Sequence, residues 1–162
     1  MKRDKKGGVD PLTRVSMFGG LRNDTLTFLL GRAELVSVAK GDVFFREGEP
    51  GGALYVLRRG RAEVVKHQAA TRSKRAKSLQ VAEIKAGGCF GEVSLLAVMP
   101  RSATVAALED CEALRLRYTD LHELYRHDVA EFALLMLNLG REVARRLWRA
   151  DQLLVDFAEP NG

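Results

Sequence analysis

The residues best suited to chemistry lie in one stretch, Gly87–Val105, which reads GGCFGEVSLLAVMPRSATV. Glycines open it and Phe90-Gly91-Glu92 follows. Val93–Val98 is then a short apolar segment of helical length, ended by Pro100-Arg101. A short helix beginning beside a glycine presents free backbone N–H groups and the positive end of its dipole, which suits an anion. Gly91 lets the backbone approach a ligand closely. Glu92 and Arg101 stand nine positions apart, and if the segment folds back both can point into one pocket. A guanidinium donates charge-assisted hydrogen bonds to phosphate oxygens. A carboxylate only accepts, so it suits a sugar hydroxyl. The pair therefore makes chemical sense for a cyclic nucleotide, with Arg101 on the phosphate and Glu92 on the ribose. On the residue types alone, a plain Glu92–Arg101 salt bridge between neighbouring turns explains the pair equally well.

The elements around this stretch must hold it in place. Residues 35–39, 43–46, 53–57, 62–66 and 79–84 are short runs rich in Val, Phe, Tyr and Leu, each of strand length. Glycine-containing turns separate them, with Gly41, Gly48 and Gly60 where a tight turn needs positive φ. Ser102–Ala107 and Ala113–Arg117 read as two more strands, with Glu109-Asp110 in the turn between them. Closely spaced strands with Gly-rich turns predict a sandwich or barrel of roughly eight strands. Upstream, residues 12–30 carry helical apolar spacing interrupted by Gly19-Gly20, which predicts two short helices around a turn. Downstream, Thr119 or Asp120 can cap a short helix over Leu121–Tyr125. A long helix is predicted from Asp128 to Asp156, with an apolar stripe through Val129, Phe132, Met136, Leu139 and Val143 that continues at Leu147, Ala150 and Leu154. On its other positions lie Arg141, Arg145, Arg149 and the i,i+4 pair Glu142–Arg146.

Bulk properties set limits on function. The chain has 162 residues, 46% of them hydrophobic, and a formal charge of +5, enough for a single domain with a real core. The positive excess is concentrated at Met1–Lys6 and Lys66–Lys77, which read as solvated segments, with an acidic partner as the alternative. Cys89 and Cys111 have no metal-ligand spacing and sit in apolar runs, as free buried thiols do. His67, His122 and His127 form no metal or triad spacing and read as surface residues, so no metal and no enzyme activity are expected. No apolar run is long enough to span a membrane and no signal-peptide h-region follows the basic N-terminus, giving a cytoplasmic expectation. The expected organisation is a basic leader over 1–11, one folded domain over 12–156 and a tail over 157–162.

The order and spacing in the central stretch closely resemble the phosphate-binding cassette of the cyclic nucleotide-binding domain family. The matching residues are Phe90, Gly91, Glu92, Leu95, Leu96, Arg101, Ser102, Ala103, Thr104 and Val105. Gly41-Asp42, Gly48, Leu54-Tyr55-Val56 and Gly60 resemble the family's upstream turns, so the likeness runs from about Met17 to Leu154. It implies an α+β fold: an eight-stranded antiparallel β-roll (a double-stranded β-helix, or jelly roll) flanked by N-terminal helices and a long C-terminal helix. It also implies cAMP or cGMP as regulatory ligand. The expected ligand-binding set is Phe90, Gly91, Glu92, Val93, Ser94, Leu95, Arg101, Ser102 and Ala103. Glu92 takes the ribose 2′-hydroxyl, and Arg101 with the N–H groups of Ser94 and Ser102 takes the phosphate, while Leu95 helps wall the pocket. Two positions depart from the family pattern: Ser94 stands where Ala is usual, and Gly52 where Asp is common. Ser102 is compatible with either base, and cAMP is favoured.

The implied role is a sensor that turns occupancy into movement of the C-terminal helix, whose distal part serves as dimer seam or as lid over the base. The partners expected are the cyclic nucleotide, an unidentified effector protein and a second copy through that helix. Val155–Gly162 is too short for a recognition-helix domain, so no DNA is expected. A scaffold domain of the same fold that binds no nucleotide, or a regulatory domain excised from a channel or kinase, is the alternative.

Overall fold

The computed structural model describes residues 15–68 and 77–158. The expected leader, most of the basic loop and the last four residues lie outside the described residues. Eight strands form two antiparallel four-stranded sheets. The strands are β1 (Glu34–Val38), β2 (Val43–Phe45), β3 (Ala53–Arg59), β4 (Arg61–Gln68), β5 (Lys77–Lys85), β6 (Cys89–Phe90), β7 (Thr104–Ala107) and β8 (Cys111–Arg117). One sheet runs β1-β8-β3-β6 and the other β2-β7-β4-β5, so each sheet draws strands from both halves of the chain. This is the expected α+β β-roll.

Seven strands fall where the short apolar runs place them, with ends shifted by a few residues. The eighth, β6, has only two residues and no pattern to betray it. It exists because Phe90 and Cys89 pair with Tyr55 and Val56 of β3, so the cassette begins as a sheet edge. Gly41, Gly48 and Gly60 adopt φ of 88°, 84° and 91°, as the turns require.

β3 lies between two cores. Ala53, Tyr55 and Leu57 face the inside of the roll with Phe45, Phe90, Val105 and Ala113. Leu54 and Val56 face the helices, against Leu26, Leu29, Leu116, Leu121, Leu124, Leu135 and Leu139. All five residues from Ala53 to Leu57 are therefore buried, a continuous apolar run rather than an alternating one.

Before the roll, a single 3-10 turn (Ser16–Phe18) and α1 (Asn23–Arg32) flank Gly19-Gly20, as the interrupted spacing predicts. After it come α3 (Tyr118–His127) and α4 (Val129–Ala158); the cassette helix described below is α2. α3 begins earlier than expected. Asp120 does serve its N-terminus, but from the third position, where its carboxylate accepts the Arg117 N–H at 2.7 Å. α4 is the long helix expected, with its buried face rotated from the predicted stripe. Val129 is 58% exposed, whereas Leu135 and Leu139 are fully buried. The stripe is hard to read because two of its members are polar. Asn138 donates to the carbonyls of Met17 and Gly19 at 3.2 and 2.8 Å, and Glu131 accepts the Arg22 N–H at 2.9 Å. These bonds satisfy backbone groups in the N-terminal turns that burial would otherwise leave unpaired. They fix α4 against the start of the chain at one end only. Among the described residues, no helix is long and apolar enough to cross a membrane, and both cysteines are free and buried.

Candidate functional site

The site begins where β6 ends. Gly91 adopts φ of 80° and leads into α2 (Glu92–Leu96). A Cβ at Gly91 would lie 2.7 Å from Arg101 Nη1 and 3.2 Å from the Ala53 carbonyl oxygen, so only glycine fits both the turn and the close approach. α2 is shorter than the predicted segment, because Val98, at φ 53°, has already left the helical region. The chain then returns through Pro100. Arg101 donates its N–H to the Glu49 carbonyl and accepts from Gly48 N–H, at 2.8 and 2.9 Å. That backbone pairing ties the far end of the cassette to the β2–β3 loop.

Folding back brings Glu92 and Arg101 to one cavity of about 120 Å³, whose walls include Phe90, Gly91, Glu92, Val93, Ser94, Arg101, Ser102 and Ala103. Eight of the nine expected residues thus meet in one place. The ninth, Leu95, turns the other way into the core beneath the helices. Phe45, Val64, Val105 and Arg146 complete the wall. Ser94 Oγ is occupied within the cassette, donating to the Gly91 carbonyl at 3.1 Å.

Glu92 and Arg101 do not pair with each other, which disposes of the simple salt-bridge reading. Arg101 is 6% exposed. Its Nη1 lies within hydrogen-bonding distance of the Ala53 carbonyl, the Gly91 carbonyl and Ser94 Oγ, at 2.8, 3.1 and 2.9 Å. Its guanidinium carbon sits 4.0 Å from the centroid of the Phe45 ring. Burial holds its pKa below the ordinary arginine value. Among the described residues its Nε has no hydrogen-bond partner.

Glu92 is 1% exposed. One of its oxygens accepts from Arg146 Nη1 at 2.6 Å, and the other has no partner among the described residues. Burial pushes its carboxyl above the usual glutamate range, and the Arg146 charge opposes that rise. Arg146 also donates to the Cys89 carbonyl at 2.5 Å, so one residue of α4 grips both β6 and α2. The Cys89 thiol beside it is pushed up to about 12, chiefly by burial and then by Glu92. It is therefore not a nucleophile at neutral pH.

Arg146 is the functional residue that sequence reasoning missed. Its local partner is correct, since Nε lies 3.7 Å from Glu142. The signal was its phase: steps of four, three and four residues lead from Leu135 through Leu139 and Glu142 to Arg146, along the inner stripe of α4. An arginine on a buried stripe needs an acceptor, and Glu92 is that acceptor.

Chemically, the cavity offers one buried carboxylate oxygen without a partner, a buried guanidinium with a free N–H, and the first turn of a helix entered through glycine. That combination can hold a hydroxyl and an oxyanion a few ångströms apart.

Comparisons with known proteins agree with this geometry. The family model described as cyclic nucleotide-binding domain matches residues 35–128. The chain is 30% identical over 135 residues to the cyclic AMP receptor protein of Thermus thermophilus, covering 83% of this chain and 58% of that protein. A cAMP-dependent protein kinase regulatory subunit of Yarrowia lipolytica is 43% identical over 70 residues, 43% of this chain and 16% of that protein. The chain thus spans less than two thirds of these relatives. Among solved structures, the catabolite activator protein of Thermus thermophilus superposes with a TM-score of 0.71 at 30% identity, over 88% of this chain and 63% of that one. A cyclic nucleotide-binding domain from Methylobacillus flagellatus gives 0.79 at 19% identity, over 94% and 83% respectively, a likeness of fold alone.

Proposed function

Since the chain belongs to the cyclic nucleotide-binding domain family, we propose that its cassette binds a 3′,5′-cyclic nucleotide, cAMP in preference to cGMP, as a regulatory signal. The observation that carries this reading is the pair of unpartnered buried polar atoms, the second oxygen of Glu92 and Nε of Arg101, on the wall of one cavity. Buried polar groups without partners are costly, and a ribose hydroxyl and a cyclic phosphate supply one for each. The N–H groups of Ser94 and Ser102 face the phosphate. The role is regulatory rather than catalytic, and the ligand is released unchanged.

Read-out runs through α4. Arg146 grips Glu92 and the β6 carbonyl, so any shift of α2 on binding pulls on the far half of that helix. Leu147, Trp148 and Leu154 are 62%, 65% and 67% exposed on that half. Three large apolar side chains on one free helix end call for a cover, which a second copy of the chain or the nucleotide base provides. Occupancy shifts the population of α4 orientations, and an effector protein reads the result.

The test uses Trp148, the single tryptophan of the chain. Saturating cAMP is expected to shift its emission maximum and reduce quenching by iodide, as the ring moves from water to a covered position. An unchanged spectrum at saturation would rule out the α4 read-out even if binding held.

A further inference from the structure

A second cavity lies behind the cassette. It measures about 340 Å³ and shares only Phe45 and Arg101 with the first as walls. The β2–β3 loop at Glu49–Gly52 closes one side. Arg115 and Arg117, at the end of β8, form another. Tyr118 and Thr119, in the first turn of α3, form the rim. Arg101 is therefore a partition with a cavity on each face.

Positive charge on this wall is poorly matched. Three arginines line it against a single carboxylate, Glu49, and Glu49 forms no ion pair among the described residues. Arg115 and Arg117 both turn to one glutamate, Glu34 on β1, at 3.5 and 2.8 Å. Arg101 has no carboxylate partner among the described residues. Nε of Arg115, like Nε of Arg101, is buried without a hydrogen-bond partner. Burial and then the Arg115 charge hold the Arg101 pKa down, opposed by Tyr55, Glu49 and Glu92. Gly52 contributes to this imbalance. It lines the cavity without a side chain. Like charges facing one another in a half-closed space, each with an idle donor, are stabilised by an anion between them.

We propose that this rear cavity is a second, separate site that binds a small oxyanion, a phosphate or carboxylate group, between Arg101 and Arg115. Arg101 then holds an anion on each face: the nucleotide phosphate in front and the small oxyanion behind. The site does not depend on the nucleotide reading, because Arg115, whose Nε has no hydrogen-bond partner among the described residues, is not part of the cassette wall.

The test is titration of the nucleotide-free chain with inorganic phosphate, followed by NMR of the arginine Nε–H groups. Sodium chloride at matched ionic strength is the control, and acetate a second probe. The Arg115 Nε–H resonance is expected to shift saturably with phosphate or acetate and not with chloride. Arg115→Gln, which removes one of two charged donors, is expected to weaken phosphate binding read at Arg101 about tenfold or more. A shift identical to that in chloride would overturn the proposal. So would equal phosphate affinity in Arg115→Gln, which would place the anion in the cassette. The wild-type titration stands even if the variant fails to fold.

Discussion

Arg101→Ala is expected to lower affinity for cAMP on the order of 100-fold or more. Two charge-assisted hydrogen bonds to the cyclic phosphate are lost, each worth roughly 1.5–3 kcal/mol. The structure adds a second consequence that the sequence did not suggest. Arg101 Nη1 donates to the Ala53 carbonyl, so the variant also removes a donor from a buried acceptor and loses about 1–3 kcal/mol of stability, while the Gly91 carbonyl keeps Ser94 Oγ. Calorimetric titration separates the two effects from urea unfolding. Arg101→Lys sharpens the distinction, because it keeps the charge but lacks the planar fork that serves the phosphate and the two carbonyls together. Full cAMP affinity in Arg101→Ala would remove the phosphate assignment.

Phe90→Ala is expected to cost about 3–5 kcal/mol of stability, since a fully buried aromatic leaves a cavity that the surroundings only partly fill. Phe90 is 2% exposed. It stacks on Tyr55 with ring centroids 5.2 Å apart and meets the edge of Phe44 at 4.9 Å. The loss acts on ligand binding indirectly, by releasing β6 from β3 and with it the start of α2. Urea unfolding of the variant would show the midpoint falling with little change in slope. A loss below about 1 kcal/mol, well under the range for buried aromatics, would mean that β6 is not held by this packing.

The cassette was legible because its geometry is local. Gly91, Glu92, Arg101 and Ser102 lie within a dozen residues, and the need for positive φ, a carboxylate and a guanidinium is written in residue types. The strands were legible for the same reason, except β6, whose two residues carry no period and whose pairing with Tyr55 and Val56 spans half the roll. What stayed hidden was long-range. Arg146 reaches Glu92 across 54 positions, and only the buried phase of α4 marks it among four neighbouring arginines. That phase was itself obscured, because Glu131 and Asn138 occupy core positions to serve backbone groups of the N-terminal turns. Leu95 matched the family pattern, and its side chain packs in the core beneath the helices.

Arg101 also links the two cavities. It closes the cassette in front, lines the rear cavity behind and packs on Phe45 between them. Its bonds to the Ala53 and Gly91 carbonyls tie α2 to β3. Glu92 stands at the opposite wall, held by α4 through Arg146. In the proposed complex the ligand therefore meets the sheet through Arg101 and the C-terminal helix through Glu92 and Arg146.

The most direct measurement is calorimetric titration of the chain, unfolded and refolded beforehand to strip any carried ligand, with cAMP, cGMP and 5′-AMP. The account predicts micromolar or tighter binding of cAMP, weaker binding of cGMP and much weaker binding of 5′-AMP, which lacks the cyclic phosphate. Absence of binding to all three would contradict it and leave a β-roll whose cassette is a scaffold for protein contacts.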